Sequence, residues 1–106
     1  MFWLIKNNCE VDCKPCPDSL LVRFGNSDLF VSRMCQGTAF REHPRARDNK
    51  LGLEVLRHCI DVGINFFDSA YGYGDGGSEE LLGLAIEGQR ECVIVCTKID
   101  VRYDPA

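Results

Sequence analysis

The stretch from Asn65 to Lys98 constrains this chain more than any other part of it. The apolar run Phe66-Phe67 ends on Asp68, and a loop follows with Tyr71 and Tyr73 set among Gly72, Gly74, Gly76 and Gly77. A helical pattern comes next, then Cys92-Val93-Ile94-Val95-Cys96, which ends on Thr97 and Lys98. Two apolar strands joined through a helix run parallel in one sheet, because a crossover of that length brings the chain back in the same direction. Parallel βα units put the C-terminal ends of their strands on one edge of the sheet, where α/β proteins place their chemistry.

The same rhythm extends upstream. Leu20–Phe24 reads as a strand, Gly25-Asn26-Ser27-Asp28 as a turn and Leu29–Ser32 as its hairpin partner. Met34–Gln36 is a short strand ending at Gly37-Thr38, and Phe40–Arg47 is a polar loop. Asp48 or Asn49 caps a helix running to about Val62. Leu53, Leu56 and Ile60 form its apolar stripe, with Val55, Cys59 and Val62 beside it, and Gly63 is the left-handed stop. Ile64–Phe67 is the next strand. Gly77 or Ser78 caps a second helix, with Glu79 and Glu80 at its positive end and Leu81, Leu82, Ala85 and Ile86 on its buried face. Gly88 ends that helix, and Glu91–Thr97 is the last strand. The order is a hairpin followed by β-α-β-α-β, with short apolar strands expected to be buried on both faces.

Met1–Ser19 differs from the rest: it has three of the seven cysteines, two prolines and no periodicity, and reads as an irregular cysteine-rich leader. The chain's 106 residues allow one small domain at most. A formal net charge of −4 gives no basic surface for nucleic acid or an anionic membrane. Arg41, Arg45, Arg47 and Lys50 are interrupted by Glu42 and Asp48 and read as a solvated loop. No apolar run approaches a membrane span, and Met1–Ile5 is too short for a signal-peptide core, so a cytoplasmic location with free thiols is expected.

Thr38, Asp68 and Lys98 each follow an apolar strand and converge on one sheet edge, with Tyr73 in the adjoining loop. A phenol with an unperturbed pKa of about 10 is a weak acid at neutral pH. An ammonium beside it favours the phenolate, and a carboxylate can hold that ammonium in place. Such a tyrosine can protonate a carbonyl oxygen as a hydride reaches the carbon, and reverse the process for an alcohol.

The run Gly63-Ile64-Asn65-Phe66-Phe67-Asp68-Ser69-Ala70, with Tyr73 and Gly74 behind it, then Ser78-Glu79-Glu80-Leu81-Leu82-Gly83, closely resembles the aldo/keto reductase family. Val93-Ile94-Val95-Cys96-Thr97-Lys98 resembles that family's catalytic-lysine strand. Phe24–Leu29 and Val31-Ser32-Arg33 resemble its N-terminal hairpin, and Gln36-Gly37-Thr38 the end of its first barrel strand. The resemblance implies an α/β fold: the hairpin and about three βα units of a (β/α)8 TIM barrel, carried by residues 20–106 and incomplete in this chain. It also implies an NADPH- or NADH-dependent oxidoreductase acting on small aldehydes, ketones and alcohols. Carried over by position, Tyr73 is the general acid and base, Lys98 tunes it, and Asp68 pairs with the lysine. Asp68 and Thr38 lie where the family contacts the nicotinamide ribose. The family's catalytic histidine, after the fourth barrel strand, has no counterpart before Ala106, nor do its phosphate-gripping basic residues. The 106 residues are therefore expected to be inactive alone. The alternative is an inactive fragment that keeps the family pattern.

Two further motifs compete with this reading. Gly72-Tyr73-Gly74-Asp75-Gly76-Gly77 fits G-x-G-x-x-G, but Asp68-Ser69-Ala70-Tyr71 separates it from the strand end, and a carboxylate there would repel phosphate. Cys9, Cys13 and Cys16 have the C-x3-C-x2-C spacing of an iron-sulfur site and could supply part of a zinc site. Their position ahead of the hairpin, with Pro15 before the last cysteine, favours a plain leader and no assigned metal ligands. His43 and His58 lack ligand spacing and are expected to face solvent.

Overall fold

A computed structural model describes residues 21–40 and 48–99. The cysteine-rich leader, Leu20, the body of the loop after Phe40 and the tail from Asp100 lie outside the described residues, as does His43.

Strands β1 (Leu21–Arg23) and β2 (Phe30–Ser32) pair antiparallel, with Val22 opposite Val31. Their turn is closed by Phe24 N–H donating to the Leu29 carbonyl at 2.9 Å and by Gly25 at φ 60°. A second sheet has the parallel order β3 (Gln36–Gly37), β4 (Phe66–Asp68), β5 (Ile94–Cys96). Its register aligns Gly37, Asp68 and Cys96 in one row and Gln36, Phe67 and Val95 in the next.

Helix α1 (Lys50–Asp61) starts at Asn49, whose side-chain oxygen accepts from Gly52 N–H at 2.9 Å. It stops at Gly63, whose φ of 97° only glycine adopts freely. Leu56, Cys59 and Ile60 are buried on its inner stripe, whereas Val55 and Val62 stand exposed at its flank, as does His58. Helix α2 (Gly77–Ala85) is entered from Gly76, at φ 92°, with no side-chain cap. The expected cap at Gly77 or Ser78 is not formed, because Ser78 is already inside the helix and its hydroxyl bonds the Thr38 carbonyl. Leu81, Leu82, Ala85 and Ile86 are all buried.

The last strand is shorter than its apolar pattern suggests. Arg90–Cys92 forms a single 3-10 turn, and pairing with β4 begins where Ile94 N–H meets the Asn65 carbonyl at 2.7 Å. The Arg90 guanidinium bonds the Val93 carbonyl, stabilising the turn at the expense of the strand. Cys35, Cys59 and Cys96 are free thiols, but Cys92 is disulfide-bonded, against the expectation of free thiols. Which thiols pair is set by what the fold brings together, and sequence spacing carries no such information.

Both helices pack on one face of the parallel sheet. Phe67 joins Leu56, Cys59, Ile60, Leu81, Leu82, Ala85, Ile86 and Val93 in a single buried cluster, with Val95 packed against it. The opposite face, with Phe66, Ile94 and Cys96, is only half-buried or open, so burial on both faces is not found among the described residues. Helices confined to one face are the arrangement of a barrel wall, while a doubly wound sheet is covered on both. The hairpin touches the open face through the edge-on stack of Phe24 on Phe66, with ring centroids 5.4 Å apart.

Asn65 fastens the hairpin to the sheet. It is buried, its Oδ1 accepts from Ser32 N–H at 2.7 Å, and its Nδ2 donates to the Phe30 carbonyl at 3.1 Å. Replacing Asn65 with alanine leaves the buried Ser32 amide without this acceptor, a cost of about 1–3 kcal/mol. Faster hydrogen exchange at the Ser32 amide is the expected signature, and unchanged protection there would contradict this role.

Candidate active site at the strand ends

Continued backbone ladders hold the three strand ends together beyond the strands themselves. Thr38 N–H donates to the Asp68 carbonyl at 3.1 Å, Ser69 N–H to the Cys96 carbonyl at 2.7 Å, and Tyr71 N–H to the Lys98 carbonyl at 3.1 Å. The loop after β4 then closes tightly on itself. Gly76 N–H donates to the Tyr71 carbonyl at 2.7 Å and Ser78 N–H to the Tyr73 carbonyl at 3.1 Å. Gly74 and Gly76 take positive φ angles of 67° and 92°, and a Cβ on Gly76 would sit 3.4 Å from the Tyr71 ring. The glycines identified as a dinucleotide-like fingerprint thus serve the turn that presents Tyr73.

At the centre of this edge, the Lys98 ammonium donates to Asp68 Oδ1 at 2.8 Å, to the Ser69 carbonyl at 2.8 Å and to the Tyr73 hydroxyl at 3.4 Å. It also lies 5.1 Å from the centre of the Tyr73 ring. Lys98 therefore bridges Asp68 and Tyr73 on the accessible face, with the lysine and aspartate side chains 49% and 36% exposed. The Tyr71 ring is about half exposed beside Gly76, and its backbone joins the ladder to Lys98 and the turn at Gly76.

Lys98 holds its proton above the usual lysine range: its hydrogen bond to Asp68 is the main cause, desolvation opposes it next in size, and the bond to Tyr73 adds a lesser upward push. A raised lysine pKa stabilises the fold below the unfolded value of about 10.4 and loses that contribution as pH rises through the folded value. The Lys98 ammonium is thus held charged throughout neutral pH. In an Asp68→Asn variant the Lys98 pKa is expected to fall, as followed by the pH titration of its side-chain methylene next to nitrogen. An unchanged titration would rule out Asp68 as the main cause.

Thr38 is placed differently from the other three. It is fully buried, and its Oγ1 lies 2.8 Å from Ser69 Oγ and 3.2 Å from the Asp68 carbonyl. Its own carbonyl accepts from Ser78 Oγ at 2.7 Å. Sequence reasoning missed three contributors here: the Ser69 carbonyl as a partner of Lys98, the Ser78 hydroxyl, and Glu79, whose carboxylate accepts from the Thr97 hydroxyl beside Lys98. Strand alternation offered a signal for Ser69, since it puts Phe67 and Ser69 on the helix-covered face while Asp68 looks out. Cys35 also comes within electrostatic reach of Asp68 and Lys98. Desolvation first, then the Asp68 charge, push its thiol pKa up.

Among the described residues, no group of His, Cys, Asp or Glu is arranged as a metal site, and no helix is long and apolar enough to cross a membrane.

The chain that carries this site has relatives among known proteins. The sequence model of the aldo/keto reductase family matches residues 33–106, and the chain belongs to that family. It is 33% identical over 77% of its length to the uncharacterized oxidoreductase YqkF of Bacillus subtilis, covering 26% of that protein. It is 32% identical over 70% of its length to the methylglyoxal reductase YeaE of Escherichia coli, covering 26% of it. A probable voltage-gated potassium channel subunit beta of Oryza sativa is 37% identical over 71% of the chain and 24% of the relative. Among solved structures, the holo form of the aldo-keto reductase AKR11C1 from Bacillus halodurans aligns with a TM-score of 0.68 at 28% identity, over 79% of this chain and 27% of that one. The chain thus spans about a quarter of the length of the relatives it matches.

Proposed function

We propose that this chain carries the proton-transfer centre of an NAD(P)H-dependent reductase of small aldehydes and ketones. Residues 20–106 are taken as the opening hairpin and βα units of a (β/α)8 barrel. One observation carries the reading: the Lys98 ammonium bonds both Asp68 and the Tyr73 hydroxyl on an open sheet edge.

In this reading Tyr73 gives its proton to the carbonyl oxygen of the substrate, and in the reverse direction the phenolate takes the proton of an alcohol. Lys98 stabilises the phenolate left behind, because its positive charge is secured by Asp68 and lies in hydrogen-bond reach of the oxygen. A reduced nicotinamide supplies the hydride when bound. Asp68 suits a ribose hydroxyl in charge and position: Lys98 bonds its Oδ1, and the carboxylate remains partly exposed. Since the Thr38 hydroxyl is already engaged by Asp68 and Ser69, Thr38 serves the cofactor site by fixing the strand end that carries Asp68.

The test is a chimera in which residues 21–99 replace the matching segment of an active relative, assayed for NADPH and NADH oxidation with small aldehydes. Turnover that depends on Tyr73 supports the reading. A folded chimera that binds NADPH and reduces no aldehyde would favour the alternative, a chain that keeps the family pattern without catalysis.

A further inference from the structure

Lys98 has a second anchor, the main-chain carbonyl of Ser69, as short as its bond to Asp68. That carbonyl belongs to a residue whose side chain is locked from behind. Ser69 is fully buried, and its Oγ lies 2.8 Å from Thr38 Oγ1. Thr38 is also fully buried, and Ser78 Oγ, 1% exposed, bonds the Thr38 carbonyl at 2.7 Å. Three buried hydroxyls from β4's end, β3's end and helix α2 therefore line up behind the open edge, Ser69 and Thr38 joined directly and Ser78 through the Thr38 main-chain carbonyl. Buried hydroxyls are costly unless satisfied, and each of these finds a partner, Ser69 and Thr38 in one another and Ser78 in the Thr38 carbonyl.

We propose that Thr38, Ser69 and Ser78 are positioning residues for Lys98: their buried hydroxyl row fixes the Asp68–Ser69 peptide so that its neighbouring carboxylate and carbonyl hold the ammonium at the Tyr73 hydroxyl. The geometry makes the row selective for this purpose. Thr38 Oγ1 has one proton, and its two neighbours are the Asp68 carbonyl and Ser69 Oγ, the atoms flanking the two groups that grip Lys98. Ser78 ties the same strand end to the first turn of α2, immediately after the loop that carries Tyr73. The row thereby links the lysine's anchors to the tyrosine's loop. Serine would serve at position 38 and valine would not, because the requirement is a hydroxyl and not volume.

The inference rests on reading Lys98 as the partner of Tyr73, but its test reads Lys98 alone and needs no turnover. Competitive acylation of the 106-residue chain at mildly alkaline pH, followed by mass spectrometry, reports how much of Lys98 is present as free amine. Loosening the anchors lowers the lysine pKa and raises its labelling rate. Thr38→Val is expected to raise the Lys98 rate about threefold or more, equivalent to roughly half a pKa unit, while Thr38→Ser stays near wild type. Ser78→Ala is the second probe and is expected to move in the same direction by a smaller factor. Folded Thr38→Val and Ser78→Ala variants that label at the wild-type rate would overturn the proposal. If one does not fold, the other decides; if neither folds, the hydroxyls serve the fold and the proposal fails. Failure of the reductase reading would appear separately, as a chimera without turnover whose Lys98 still responds to Thr38.

Discussion

Changing Tyr73 to Phe in the barrel chimera is expected to lower kcat for aldehyde reduction by about 10²–10⁴-fold, the usual worth of a positioned general acid. The substitution removes one oxygen and leaves the ring. Asp68 keeps its ion pair with Lys98, and the loop keeps its Tyr73 carbonyl bond from Ser78 N–H. Affinity for NADPH is therefore expected to stay within about twofold, well below 1 kcal/mol. Stopped-flow reduction together with cofactor fluorescence separates the two quantities. A Tyr73→Phe chimera that reduces aldehydes at the parent rate would remove Tyr73 from the chemistry, and the role would then pass to a group outside the described residues.

The second large effect concerns stability. Phe67→Ala is expected to destabilise the fold by about 3–5 kcal/mol, the range for deleting a buried aromatic ring and leaving a cavity. Phe67 is fully buried at the centre of the cluster that joins α1, α2 and the sheet. Against a typical domain stability of roughly 5–15 kcal/mol, that loss takes much or all of the margin. Phe66→Ala, one position along the same strand, is expected to cost less than half as much, because Phe66 is half-buried on the open face, where its ring stacks edge-on with Phe24. Denaturant midpoints of the two variants provide the comparison. Equal losses would mean that the open face is as well packed as the helix-covered one.

Features set by residues near one another in the chain are legible in the sequence. Asn49 as a cap, Gly63 as a stop and the buried face Leu81, Leu82, Ala85 and Ile86 depend on contacts within a few residues, so their pattern is written locally. The hairpin and its turn were legible for the same reason. The first turn of α2 was misread because Ser78 can cap a helix or reach another strand, and its sequence context is the same in both cases. The length of β5 was overestimated because Cys92 and Val93 are as apolar as a strand requires, and only the pairing partner shows where the ladder begins.

By itself, then, the sequence determined the alternation of strands and helices and the order in which Asp68, Tyr73 and Lys98 arrive at the C-terminal edge of the sheet. Both follow from hydrophobic period, caps and glycine positions, which act over one or two turns of chain. Only the tertiary structure decided that both helices cover the Phe67 face, that Asn65 clasps the hairpin, and that Ser69 lends its carbonyl to Lys98. Those outcomes depend on strand register across separations of about thirty residues, where a shift of one position would turn every side chain to the other face.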